Sequence, residues 1–141
     1  MLSWNEYIRQ GYIRKISKNK GVIKSLMQIS DNRIKIFSEM TLNQQNSSII
    51  FSNYYDAIRE ICEAISLLNG YKIYSHEAIG LLMKEILKED AIYIKFDKFR
   101  TMRNGVNYYG NNIDFNEALQ SIEDIKQMIN KLKMKYLKEF L

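Results

Sequence analysis

The chain has 141 residues, 46% of them hydrophobic, with no proline, one cysteine (Cys62) and one histidine (His76). This length fits a single domain over residues 1–141 with its own hydrophobic core, and a lone cysteine excludes an intrachain disulfide. The net charge is +5, and residues 1–37 hold eight basic residues against two acidic ones. That end of the chain predicts either a polyanionic partner or a solvated, lysine-rich surface.

The sequence carries no signal for a membrane, a metal or a cofactor. No apolar run approaches the roughly 20 residues that span a bilayer, and the first residues lack the charged-then-apolar pattern of a secretory signal. Together with the single cysteine, this predicts a cytoplasmic protein without membrane contact. One cysteine and one histidine cannot build a structural zinc site, and no glycine-rich phosphate loop is present, so we expect neither metal nor cofactor.

Apolar residues recur with helical spacing through almost the whole chain. A first helix is predicted over residues 4–12 and a second over residues 23–40, with a break at residues 19–21 between them. The polar stretch at residues 43–48 predicts a loop that ends in a helix cap.

The middle of the chain predicts two more helices. A third helix, over residues 51–68, ends at Asn69-Gly70, because glycine is the preferred residue for a left-handed C-terminal cap. Ser75 is placed to cap a fourth helix, whose apolar stripe continues to Leu87.

A fifth helix is predicted from about Ala91 into the segment that begins at Arg100, and Asp114 with Glu117 resembles a capping box that opens a long last helix. No alternating strand pattern competes with these helices, and residues 92–96 come nearest to one. The fold class is therefore predicted to be all-α, an up-and-down helical bundle of five or six helices.

The fifth helix carries the most informative motif. Arg100 and Arg103 are three residues apart, and Asn104 and Asn107 each follow one of them by four, so all four share a face if the helix continues. Two rigid guanidinium groups beside amides suit a phosphate or a carboxylate ligand. The alternative is structural: the arginines pair with carboxylates of neighbouring helices, and Asn104-Gly105 ends the helix.

Residues 97–104 and 108–110, with the pattern Arg-x-x-Arg-Asn-x-x-x-Tyr-Tyr-Gly, resemble the signature of HEPN-domain proteins. They are most similar to the small archaeal group whose motif ends Tyr-Tyr-Gly. A second segment at the expected distance upstream, residues 55–64 and 70–78, supports the resemblance, which covers roughly residues 50–135.

The resemblance implies an α-helical bundle that dimerises around the motif helix, so that both protomers line one shared cleft. Many HEPN proteins are metal-independent ribonucleases whose motif arginine binds phosphate and whose histidine assists attack by the ribose 2′-hydroxyl. Others bind nucleic acids or nucleotides without catalysis, and some are toxins paired with a minimal nucleotidyltransferase antitoxin. Arg103 matches the motif arginine, and Asn104 matches the polar residue that often follows it.

The motif histidine is missing, because its place is held by Tyr108, Tyr109 and Gly110. An unperturbed tyrosine has a pKa near 10, and losing a positioned acid–base group costs about 10²–10⁴-fold in rate. We therefore expect an RNA- or nucleotide-binding module that is a degenerate ribonuclease, weak or inactive. Its expected ligand-binding residues are Arg100, Arg103, Asn104, Asn107, Tyr108 and Tyr109.

Alternatives remain open. His76 either reaches the cleft as a catalytic imidazole or is a structural histidine near Ser75, and Tyr108 and Tyr109 either stack on bases or pack against the last helix or across a dimer. An active ribonuclease or toxin would use Arg103 with His76 or Tyr108. A structural partner subunit of a nucleotidyltransferase complex would bind no nucleic acid.

Overall fold

The computed structural model describes residues 2–141 and has an all-α helical bundle with one small two-stranded sheet, so the predicted fold class is confirmed. The α-helices are α1 (Trp4–Arg9), α2 (Lys20–Ser38), α3 (Ser47–Leu68), α4 (His76–Leu81), α5 (Asp90–Tyr109) and α6 (Phe115–Tyr136). The strands are β1 (Ile13–Lys15) and β2 (Tyr71–Ile73). A π-helical segment, Leu82–Ile86, continues from α4, and a short 3₁₀ turn, Lys138–Phe140, follows α6.

The bundle is organised around α3, whose side chains are buried at almost every turn. Phe51, Ile58 and Ile65 are 0% exposed, and α2, α5 and α6 all pack against this helix. A helix that is apolar on most sides is stable only when other elements surround it. The one cysteine, Cys62, also lies on α3 at 0% exposure, and burial raises the pKa of its thiol.

Most helix ends agree with the predicted caps. The side chains of Ser75 and Asp114 accept hydrogen bonds from backbone N–H groups in the first turns of α4 and α6. Gly70 follows the end of α3 with φ +85°. The start of α3 differs from the prediction, because Asn46 holds the capping position without a side-chain hydrogen bond to the helix.

The first predicted helix is too long. α1 ends at Arg9, Gly11 adopts φ +81°, and the chain then enters β1. β1 pairs antiparallel with β2, with Ile13 opposite Ile73. Strands of three residues are too short to show an alternating pattern, so neither could be recognised from periodicity.

The fourth predicted helix is interrupted. α4 ends at Leu81, the π-helical segment takes over, and Lys88 adopts φ +57° before α5 begins. The apolar stripe is continuous across this change, which is why spacing alone predicted one helix. Among residues 2–141, no helix is long and apolar enough to cross a membrane.

Replacing Gly70 with alanine is expected to destabilise the fold. Gly70 has φ +85°, and a side chain in this region costs about 1–2 kcal/mol. An added Cβ would meet the Ile16 carbonyl oxygen at 3.6 Å, an ordinary contact, so the cost is conformational. Gly70→Asn is the matched control, because asparagine tolerates the left-handed region. Urea unfolding should rank wild type above Gly70→Asn and Gly70→Asn above Gly70→Ala; three equal stabilities would contradict this.

Candidate functional site

The arginine motif lies on one unbroken helix. α5 continues past Asn104-Gly105 to Tyr109 and is capped by Gly110, which has φ +64°. The interpretation in which Asn104-Gly105 ends the helix is therefore wrong. Because α5 continues, Arg103 and Asn107 lie one turn apart on the same side, as the spacing predicted.

Arg103 extends from α5 to α3. Its Nη2 lies 3.5 Å from Oδ1 of Asp56, and its guanidinium carbon lies 5.4 Å from the ring centre of Tyr55. The Nε–H of Arg103 is buried and has no hydrogen-bond partner among residues 2–141. Arg103 and Asp56 thus attract each other as charges without forming a good hydrogen bond, and the guanidinium keeps unused donors.

Three arginines share the Asp56 carboxylate. Nε of Arg59 lies 3.6 Å from Oδ1, and Nη1 of Arg33, from α2, lies 4.0 Å from Oδ2. Within residues 2–141, Oδ1 of Asp56 is buried and accepts no hydrogen bond. We refer to Arg33, Tyr55, Asp56, Arg59 and Arg103 as the arginine cluster.

Two of these three arginines have closer partners. Nε of Arg33 donates to Oε1 of Glu60 at 2.9 Å, and Nη1 of Arg59 donates to Oε1 of Glu63 at 2.9 Å. Burial raises the pKa of Glu60, against the lowering effect of Arg33. Arg103 is consequently the arginine of the cluster that is least committed to an internal partner.

Arg100 has a different partner from Arg103. Its Nε and Nη2 each lie 2.9 Å from Oδ1 of Asp97, one turn earlier on α5. Burial raises the pKa of Tyr7 and lowers that of His76, and the charge of Arg100 has a smaller lowering effect on both. Arg100 is therefore paired within α5, whereas Arg103 faces Asp56 on α3.

His76 reaches the arginine cluster through Tyr55. It is the first residue of α4, and its Nδ1 lies 3.2 Å from the Tyr55 hydroxyl, a hydrogen bond whose direction depends on the imidazole tautomer. Burial, together with the positive charges of Arg59 and Arg103, lowers the pKa of His76 to about 4, against an opposing effect of Asp56. The ring is therefore neutral at pH 7. His76 is therefore a partly buried histidine that contacts Tyr55, the residue whose ring lies beside Arg103.

The two motif tyrosines extend into solvent. Tyr108 is 75% exposed and Tyr109 is 79% exposed, so neither packs against α6 as one interpretation predicted. Asn107 is also exposed, whereas Asn104 is half-buried. Exposed rings at the end of the motif helix leave room for a stacked base or for a second copy of the chain.

Sequence reasoning missed the partners that surround Arg103. Tyr55, Asp56 and Arg59 belong to the second segment of the resemblance, but no spacing assigns them to a site with residue 103. The available signal is that charged residues at positions 56, 59, 60 and 63 recur along one side of an otherwise apolar helix. Such charges need partners from neighbouring helices, and the partners' identities depend on tertiary structure.

No group of three or more His, Cys, Asp or Glu side chains within residues 2–141 is placed to hold a metal ion. No family model, curated protein or solved structure matches the chain. The fold and the site therefore define a class of architecture: an all-α helical bundle with a half-buried arginine–carboxylate cluster beside a neutral histidine.

Arg103→Gln is expected to change stability little, by at most about 1 kcal/mol, because its ion pair with Asp56 is long and lacks a hydrogen bond. Arg59→Gln should cost about 1–3 kcal/mol, since it removes a 2.9 Å charged hydrogen bond and leaves Glu63 without it. Urea unfolding of the two variants at pH 7 checks this. A cost for Arg103→Gln as large as that for Arg59→Gln would mark Arg103 as a structural residue.

The lowered pKa of His76 predicts a loss of stability in mild acid. The unfolded histidine takes up a proton below a pH of about 6.5, whereas the folded one stays neutral until its pKa of about 4. Stability from this group is full above about pH 6.5 and falls as the pH drops to 4, by at most about 3 kcal/mol. His76→Asn keeps a polar group for Tyr55 and cannot titrate, so denaturant unfolding from pH 4 to 7.5 should be flatter for this variant. Identical pH profiles would contradict the assignment.

Proposed function

We propose that this chain is a HEPN-like RNA- or nucleotide-binding module in which Arg103 holds a phosphate, and that its ribonuclease activity is weak or absent. The observation that carries the proposal is the state of the Arg103 guanidinium. It rests on the Tyr55 ring, lies 3.5 Å from Asp56, and has a buried Nε–H without a partner among residues 2–141. An arginine that is positioned but incompletely paired is suited to bind an anion.

The surroundings of Arg103 favour a phosphate as that anion. Its side chain is 22% exposed, so a ligand can reach it from solvent, and Arg33 of the same cluster is 31% exposed. Electrostatic attraction is stronger in such a partly desolvated position than in water. One turn further along α5, Asn107 is exposed, and beyond it Tyr108 and Tyr109 present rings on which bases can stack.

The acid–base chemistry around Arg103 supports binding over cleavage. With its pKa lowered to about 4, His76 is a weak base, and at pH 7 almost none of it is protonated to act as an acid. General acid–base catalysis is most efficient when the pKa lies near the working pH. His76 is therefore a poor substitute for the missing motif histidine.

An active metal-independent ribonuclease is the second candidate, and one observation favours it. Tyr55 contacts both His76 and the Arg103 guanidinium, which puts an imidazole near the proposed phosphate site. A bound phosphate would add negative charge and raise the pKa of His76 towards neutrality. Such a shift would bring this histidine nearer to the range in which it can transfer protons.

We also propose that the module acts in the cytoplasm as a homodimer in which the ends of two α5 helices line a shared cleft. The exposed Tyr108 and Tyr109 near the end of α5 are residues that a second copy would meet. Pairing with a minimal nucleotidyltransferase antitoxin stays a prediction of the resemblance alone.

Arg103→Gln is expected to weaken binding of single-stranded RNA by about 10- to 150-fold, the range for loss of a charged hydrogen bond. Fluorescence anisotropy with labelled RNA in EDTA measures this, with a mononucleotide as a second ligand. Lys138→Gln removes an exposed positive charge on the 3₁₀ turn and is the matched control. Unchanged binding by Arg103→Gln would overturn the proposed role of Arg103, and no binding by the wild type would favour the structural-partner alternative.

The same samples are assayed for RNA cleavage in EDTA. We expect little or no cleavage by the wild type. Cleavage that disappears in both Arg103→Gln and His76→Asn would instead establish the second candidate, because both residues would then be required for the reaction.

A further inference from the structure

The β1–β2 sheet presents a polar face to solvent. Ile13 and Ile73 are paired and only 1% and 5% exposed, so they point into the core. Side chains alternate along a strand, and the neighbours on the opposite face are Tyr12, Arg14, Lys72 and Tyr74. The Tyr74 N–H donates to the Tyr12 carbonyl at 2.8 Å, which extends the pairing by one residue beyond the strands. We call these four residues the sheet face.

Two positive charges oppose each other on the sheet face. Arg14 pairs directly with Lys72, and like charges in that position destabilise a sheet. Among residues 2–141, neither of them takes part in an ion pair. Both lie over the Tyr74 ring, with the Arg14 guanidinium carbon at 5.6 Å and the Lys72 Nζ at 5.7 Å from its centre. The ring therefore holds two cations in place without neutralising them.

The aromatic rings of the sheet face are accessible. Tyr12 is 46% exposed and Tyr74 is 57% exposed. Exposed rings beside unpaired cations match single-stranded nucleic acid, whose bases stack on rings while its phosphates meet positive charge. An acidic protein segment would pair with the two cations, but it has no bases to stack on the two exposed rings.

The sheet face lies close in the chain to His76, which contacts the aromatic ring beneath Arg103. Only Ser75 separates Tyr74 from His76, so their Cα atoms lie at most about 7 Å apart. An open pocket of about 530 Å³ lies beside this connection, and its lining includes Tyr7 and Tyr12 together with Ser75 and Glu77, the two neighbours of His76 in the chain. The Tyr55 side chain contacts both His76 and Arg103.

We propose that the sheet face, made by Tyr12, Arg14, Lys72 and Tyr74, is a second contact surface for single-stranded RNA, in addition to the Arg103 site. The inference rests on the proposed function, because the same RNA strand would occupy both surfaces. Tyr74 stacks on a base, and Arg14 and Lys72 each contact a phosphate.

The test measures how RNA affinity depends on salt for the full chain, using a labelled single-stranded RNA in fluorescence anisotropy. The double variant Arg14→Gln/Lys72→Gln should make the negative slope of log K against log salt shallower by about 1.4, since each phosphate contact with a single strand contributes about −0.7. Lys131→Gln/Lys138→Gln removes two exposed charges at the other end of the chain and should leave the slope unchanged. The double variant at the sheet loses a like-charge pair and also two cation contacts with the Tyr74 ring, so urea unfolding should show a stability close to that of the wild type.

Two variants of Tyr74 test the stacking. Tyr74→Ala should weaken RNA binding by about 5- to 150-fold, as loss of one base–aromatic stack does, whereas Tyr74→Phe should bind like the wild type. Equal binding by Tyr74→Ala and the wild type would overturn the stacking role. Competition by an acidic peptide that depends on Tyr74 as strongly as RNA binding does would assign the sheet face to an acidic protein instead.

The outcomes separate this inference from the function on which it rests. If Arg103→Gln weakens RNA binding and the sheet variants do not, the sheet face is refuted while the Arg103 site stands. If the sheet variants weaken binding and Arg103→Gln does not, the sheet face stands and the Arg103 site is refuted. A wild-type chain that binds no RNA refutes both.

Discussion

A buried helix that carries charged residues must have those charges paired inside the protein, and α3 imposes this condition on the whole bundle. Its apolar residues require other helices on most sides, which brings α2 and α5 close to its charged positions. Asp56 then attracts arginines from both neighbours and from α3 itself. The arginine cluster is therefore a consequence of how the core is built.

The three arginines around Asp56 are not equally well paired, and this difference supports the proposed function. Arg33 and Arg59 are fixed by hydrogen bonds to Glu60 and Glu63, whereas Arg103 is supported by a ring and a distant carboxylate. A positioned guanidinium with unused donors can accept a ligand without first breaking a strong internal bond. The imidazole of His76 has a lowered pKa and is a poor proton-transfer group at pH 7, which is why we propose binding rather than cleavage.

Local features of the sequence were sufficient for the fold class and for several helix ends. Ser75, Asp114 and Gly70 act within one turn of their own positions, so their roles follow from residue type and spacing. The strands were missed because three residues carry too little pattern, and the change of helix type at residue 82 leaves the apolar stripe intact.

The candidate site, unlike the fold class, could be predicted only in small part from the sequence. The helical face with Arg103 and Asn107 was predictable, because it depends on spacing within α5. The proximity of Asp56 to Arg103, and of Tyr55 to both Arg103 and His76, was not, because residues far apart in the chain meet only through packing.

The reactivity of Cys62 towards a thiol reagent can report how often the helical bundle opens. This thiol is fully buried on α3, next to Glu63 in the chain and three residues after Arg59, and burial keeps it in the unreactive protonated form. A thiol reagent can reach it only when α3 separates from its neighbours, so the labelling rate reports how often the bundle opens. Because the chain has no other cysteine, that rate can be followed in the unmodified protein, with and without a ligand.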